Sequence, residues 1–152
     1  MEVNDKSPDF NTTDENGKEV ASKDFRGKTV VLYFYPKADT PGCTKEAISF
    51  NALRKAFAEA DTAILGVSAD SVKAQDKFRD KYSLAFPLVS DETHRMLEAY
   101  GVWGEKSMYG KTFMGVERLT YLIDRQGRIA KVWPKVKVDG HAEGVLESAK
   151  LL

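Results

Sequence analysis

The chain reads as an α/β protein built on a mixed central sheet with helices on both faces, and three observations predict it. Two runs, KTVVLYFYP and TAILGVSAD, are almost unbroken in β-branched and aromatic residues, as strands covered on both sides are. Between and after them, apolar residues recur at three- and four-residue steps, the signature of amphipathic helices. Polar turn signals at Asn16-Gly17 and Arg125-Gln126-Gly127 mark hairpins near either end.

The elements follow in order. PDFNTTDENGKEVASKDF folds back at Asn16-Gly17 as a hairpin of two short polar strands, and KTVVLYF is the first buried strand, closed by Pro36. A helix is expected over about Pro41 to Glu59, with Ala47, Phe50, Leu53 and Phe57 on one stripe. Thr62 to Asp70 is the second buried strand. A helix capped by Asp70 or Ser71 follows, presenting Ala74, Phe78 and Tyr82. FPLVS is a short extended piece, and Asp91 caps a brief helix through Met96, Leu97 and Tyr100 that Gly101 ends. Val102 to Glu117, of mixed polarity with three glycines, is expected to be a long loop. LTYLID and RIAKVW form an antiparallel hairpin, and Asp139 or Gly140 opens a last helix carrying Val145, Leu146 and Ala149 inward. Strands separated by helices should be parallel with right-handed crossovers, and the hairpins add antiparallel strands. This is the layout of a thioredoxin-like fold with an N-terminal β-hairpin and a central insertion. Layout alone does not assign a function.

Length and composition narrow the classes. The 152 residues suit one domain spanning 1–152. Twenty-three basic and 23 acidic residues give no net charge, which argues against a surface for nucleic acid or anionic membrane. No apolar leader or membrane-length run is present, so a soluble, cytoplasmic protein is expected. One cysteine excludes an internal disulfide, and two scattered histidines give no metal-ligand spacing. Neither a metal nor another cofactor is expected. His94 and His141 lie at helix starts and read as surface or capping residues; Trp103, Trp133, Met108 and Met114 read as core or loop packing.

The single cysteine, Cys43 in PKADTPGCTKEAI, stands where chemistry is expected. Thr40-Pro41 is a helix-start signal, a capping hydroxyl followed by proline at the first helical position. Cys43 then falls in a first turn whose N–H groups lack intrahelical partners, and the positive end of the helix dipole favours a thiolate. Gly42 leaves room for a small molecule to approach the backbone. A free cysteine most often simply packs in a core. Its place after a strand's carboxyl end, beside a proline-started helix, argues for a nucleophile instead.

FYPKADTPGCTKE resembles the active-site segment of peroxiredoxins, with P-x-x-x-T-x-x-C at Pro36, Thr40 and Cys43. The resemblance is to the bacterioferritin comigratory protein, or peroxiredoxin Q, class. It continues through LGVSADS, FPLVSD, YGVWGEKSMYGK, GVERLTYLID and KVKVDGHAEGVL, nearly the whole chain in order. It implies a thiol-dependent peroxidase in which Cys43 attacks a peroxide oxygen and becomes a sulfenic acid. Thr40 would bond the peroxide or the sulfur, and Pro36 would shield the sulfur from water. Backbone N–H groups would stabilise the departing oxygen. Arg118, in GVER, would favour the thiolate and hold the peroxide, with Glu46 orienting it. Taken singly, Thr40 is a helix cap, Pro36 a strand terminator, Arg118 a solvated charge and Glu46 a first-turn acid. Only their occurrence together around one cysteine argues otherwise.

Relatives often keep a second, resolving cysteine at the positions of Ile48 or Arg79 in this sequence. Neither is a thiol here. The resemblance therefore implies a one-cysteine peroxidase whose sulfenic acid is reduced by an external thiol, from glutathione/glutaredoxin or thioredoxin. A monomer is expected, with an intermolecular Cys43–Cys43 disulfide as a side product. Two other readings compete. A thiol–disulfide oxidoreductase of the same fold would need C-x-x-C, which is missing; a peroxide-sensing redox module would use the same pocket.

Overall fold

The computed structural model describes residues 1–152. Seven strands form one sheet: β1 (Asn11–Asp14), β2 (Glu19–Ala21), β3 (Thr29–Phe34), β4 (Thr62–Ser68), β5 (Leu88–Ser90), β8 (Leu119–Ile123) and β9 (Ile129–Trp133), in the order β2-β1-β5-β4-β3-β8-β9. Two further strands, β6 (Trp103–Met108) and β7 (Lys111–Val116), pair only with each other. The helices are α1 (Pro41–Ala52), α2 (Arg54–Glu59), α3 (Val72–Lys81), α4 (Arg95–Ala99) and α5 (His141–Lys150). β3, β4 and β5 run parallel, as their helical crossovers require; β1 on β5, β8 on β3 and β9 on β8 are antiparallel. The expected mixed sheet and thioredoxin-like layout are observed. No helix is long and apolar enough to cross a membrane.

β3 organises two cores by its pleat. Val31, Tyr33 and Tyr35 face a layer that includes Cys43, Phe50, Phe78 and Val145, from α1, α3 and α5. Val30, Leu32 and Phe34 face the other side, against Leu97, Tyr100, Tyr121 and Ile123. Every residue of β3 is buried, which is why its sequence is continuously apolar rather than alternating.

Turn chemistry fixes both hairpins of the main sheet. Asp14 Oδ1 accepts from the N–H groups of Asn16 and Lys18 around Gly17 (φ 75°). Asp124 Oδ1 accepts from Gln126 and Arg128 around Gly127 (φ 79°) in the same way.

Several expectations are corrected. The helix over 41–59 is two helices, broken at Leu53, whose ψ of 7° leaves the helical range. Of the two expected caps of α3 it is Ser71 that serves, its hydroxyl accepting from the Ala74 N–H. Val102 to Glu117 is not a loop but the β6–β7 hairpin, turning at Tyr109 and Gly110, both at positive φ. Its strands show no clean alternation because most of their residues are solvent-facing, so burial imposes no period. Met108 and Met114, expected to pack, are exposed there. His141 is buried rather than on the surface, and His94 is stacked face-on against Trp103 at α4's start.

Candidate active site

The site lies at the carboxyl end of β3, where β8 begins beside it. Phe34 pairs with Leu119, so the residue before Leu119 reaches the chain segment that leaves β3 and enters α1. That residue is Arg118. Its Nη2 donates to Cys43 Sγ at 3.3 Å and its Nη1 to Glu46 Oε1 at 2.7 Å. One guanidinium therefore bridges the sulfur and a carboxylate of the next turn of α1, using the fork geometry that lysine lacks. The backbone carbonyl of Arg118 is itself held, accepting from the Val136 N–H at 3.0 Å.

Burial sets the electrostatics. Cys43 and Glu46 are each 1% exposed, and Arg118 is partly buried. Removal from water raises the Glu46 carboxyl to about 7, against the opposing charge and hydrogen bond of Arg118. Its second oxygen, Oε2, is buried without a partner. Arg118 is held firmly protonated: burial works against its charge, but Glu46 and Cys43 outweigh it and raise it.

At the start of α1, Thr40 occupies the cap position with extended backbone and Pro41 the first helical position, as expected. The Thr40 hydroxyl does not cap, however. It donates to the Lys37 carbonyl at 2.8 Å. The N–H groups of Gly42 and Cys43 are therefore left without an acceptor in the protein, and their first-turn position makes them ready donors to an anion. A buried sulfur, a fixed guanidinium and two free amides around one helix start can stabilise negative charge both before and after it moves off the sulfur.

A model of the AhpC/TSA family matches residues 3–132. The chain belongs to the AhpC/TSA family. It is 48% identical over 146 residues to a putative peroxiredoxin of Coxiella burnetii, covering 96% of this chain and 97% of that one. With Peroxiredoxin Bcp of Bacillus subtilis it shares 45% identity over 150 residues, 99% of this chain and 96% of the relative. Among solved structures it matches a cysteine-to-serine variant of Xylella fastidiosa PrxQ with a TM-score of 0.94 at 39% identity, covering 99% and 96% of the two chains. A second match is the Xanthomonas campestris bacterioferritin comigratory protein, studied for its alkyl peroxide reduction activity: TM-score 0.89, 44% identity, 93% and 90% covered. This chain is a peroxiredoxin of the bacterioferritin comigratory protein class, carrying one cysteine.

Within this peroxiredoxin the structure joins Cys43, Arg118 and Glu46 by direct bonds. Thr40 sits one turn before the sulfur with its hydroxyl turned to Lys37. Pro36 lines a groove with Trp103, Phe113 and Met114 beside the end of β3. The two alternative resolving positions are occupied differently: Ile48 is exposed on α1, and Arg79 is ion-paired to the buried Glu15 at 3.1 Å.

Sequence reasoning missed a second role of Gly42. Arg118 occupies the side where a side chain would stand, so that a Cβ on Gly42 would meet Nη2 at 3.1 Å, while the Gly42 N–H stays free. It also missed His141, whose Nε2 is 2.8 Å from the Thr120 hydroxyl while its ring stands edge-on to Phe50 and Trp133. Burial, chiefly, and then the Arg118 charge lower its pKa to about 4, so the ring is neutral. No local signal marks either role, since both partners lie more than 20 residues away.

Proposed function

We propose that this peroxiredoxin reduces hydrogen peroxide and organic hydroperoxides through Cys43 alone, and that an external thiol closes the cycle. The Cys43 thiolate attacks the near oxygen of the peroxide; an S–O bond forms, the O–O bond breaks, and the departing hydroxide or alkoxide takes a proton to become water or alcohol. Arg118 donates to the sulfur and offers a donor to the peroxide, while the Gly42 and Cys43 N–H groups meet the developing oxygen charge. Glu46 is a positioning residue for Arg118. The Thr40 hydroxyl, with its own proton given to Lys37, has lone pairs free to accept from the incoming peroxide. Pro36, which carries no N–H and lines the groove at the end of β3, would help shield the sulfur from water. The observation that carries this reading is the 3.3 Å contact between Arg118 and the only sulfur that can be oxidised to a sulfenic acid.

A thiolate from glutathione, glutaredoxin or thioredoxin would then attack the sulfenic sulfur, forming an S–S bond and breaking the S–O bond; the departing hydroxide takes a proton to become water and a mixed disulfide remains. A second thiol resolves that and restores Cys43. At 1% exposure the sulfur is unreachable by a protein partner until the first turn of α1 shifts outward. The same opening would be needed for a Cys43–Cys43 disulfide between two otherwise monomeric chains. We take residues 1–152 as the catalytic unit and the reducing cytoplasm as the setting that supplies the thiol.

Stopped-flow consumption of hydrogen peroxide and of an organic hydroperoxide, with each reducing system, tests this. Rapid multiple turnover, abolished by Cys43→Ser, is expected. Full activity in Cys43→Ser would overturn the mechanism, and one turnover with no thiol able to renew it would identify a peroxide sensor instead.

A further inference from the structure

A second pocket lies at the other pole of the sheet. Val30 and Ile123 pair at one end of β3–β8, and Phe34 and Leu119 pair at the end bearing Arg118. Four strand residues, roughly 13 Å, separate them. The two sites also open on opposite faces, since Cys43 belongs to one core layer and Val30 and Ile123 to the other. The pocket is a cavity of about 440 Å³, within the range of small-molecule sites. Its floor is apolar: Val30, Ile123 and the Tyr100 ring come from the core, and Phe10 and Phe25 wall it as half-buried rings. Tyr100 donates its hydroxyl to the Pro8 carbonyl, so it offers the cavity its ring rather than a free donor.

The rim is cationic. Lys6, Arg26 and Lys28 border the cavity, and none of the three makes a side-chain ion pair or hydrogen bond to a carboxylate. Two carboxylates border it as well: Asp9 accepts from the Ser22 hydroxyl and Asp124 from two N–H groups of its own turn, neutral donors that do not cancel a carboxylate's charge. Arg125, the fourth cation, is drawn 3.5 Å from Asp61. With Arg125 set against Asp61, Lys6, Arg26 and Lys28 outnumber Asp9 and Asp124 by one positive charge, and none of the three cations is ion-paired, so the rim favours an anion.

We propose that this cavity binds an amphipathic organic anion, an apolar chain or ring carrying one carboxylate or phosphate. The apolar part lies on Val30, Ile123 and Tyr100, and the anionic group lies at the rim between Arg26, Lys28 and Lys6. Such an occupant touches the core directly, so binding stabilises the fold by mass action. The proposal is independent of the peroxidase cycle.

The test titrates the intact protein with decanoate, decyl phosphate, decanol and inorganic phosphate, followed by amide and methyl NMR. Decanoate or decyl phosphate is expected to shift Val30 and Ile123 with a Kd below about 1 mM. Decanol should bind at least about tenfold more weakly, and inorganic phosphate not at all. Comparing the two anions identifies the preferred headgroup. The exposed double variant Arg26→Glu/Lys28→Glu should keep its unliganded melting temperature and lose about tenfold or more in affinity, with Lys6→Glu acting in the same direction. Cys43→Ser should bind unchanged. Decanol binding as tightly as decanoate, charge reversal without effect, or shifts confined to other residues would each overturn the assignment, as would no binding by either anion.

Discussion

Arg118 lies over Gly42 so closely that a single added carbon on Gly42 would come within 3.1 Å of its Nη2. Gly42 is not at positive φ, so alanine fits the helical backbone there and raises helix propensity. The cost falls on the guanidinium, which must retreat by a few tenths of an ångström from its bonds to Cys43 and Glu46. Gly42→Ala should therefore keep or gain stability while losing about tenfold in kcat/KM for peroxide. Thermal melts and stopped-flow assays on one preparation check both halves.

Arg118 and Glu46 form a half-buried pair, and breaking one side should differ from removing both. Arg118→Met removes the charge that opposes the burial of Glu46, so the carboxyl is held protonated and loses its hydrogen bond, with an expected loss of about 1–3 kcal/mol in stability. Adding Glu46→Gln should recover most of that stability but none of the activity, which should stay about 100-fold or more below wild type. Arg118→Lys should also fail to restore the rate, since one ammonium cannot hold the sulfur and Glu46 together. Urea denaturation and peroxide kinetics of the three variants separate the two effects.

Glu46 makes stability depend on pH in an unusual direction for a carboxylate. Its folded value of about 7 lies above the ordinary 4.5, so folding takes up a proton between those values. That contribution is fully present below pH 4.5 and is lost as pH rises to 7. Relative to Glu46→Gln, the wild type should become less stable from pH 4.5 to 7 and stay so above it. Denaturant melts across that range read the difference between the two proteins.

His141 acts with the opposite sign. Its folded value of about 4 lies below 6.5, so the neutral ring contributes stability that is complete above pH 6.5 and lost as pH falls through 4. Its charged neighbours are Arg118, which opposes protonation, and Glu143, which favours it. His141→Phe should flatten the acid limb by up to about 3 kcal/mol while giving up the Thr120 hydrogen bond at all pH values. Because Glu46 and His141 oppose each other between pH 4.5 and 6.5, only the comparison of each variant with wild type resolves them.

The sequence by itself determined the elements whose signals are local. Unbroken β-branched and aromatic runs, the Thr40-Pro41 helix start, and the aspartate–glycine turns at 14–17 and 124–127 are written in neighbouring residues, so the central strands, most helices and the nucleophile's position could be read directly. The β6–β7 hairpin escaped because its exposed strands carry no burial period. The break at Leu53 escaped because the apolar stripe runs through it unbroken. The resemblance named Arg118 and Glu46 as partners of Cys43, but only the tertiary structure supplies the physical reason they meet. Pairing of β8 against β3 carries Arg118 to Cys43, 75 positions earlier, and into the space that Gly42 keeps free. Burial of Glu46 and His141, which tunes both groups, likewise comes from layers packed by remote segments. Contacts of that separation depend on sheet register, and no window of the chain contains both partners.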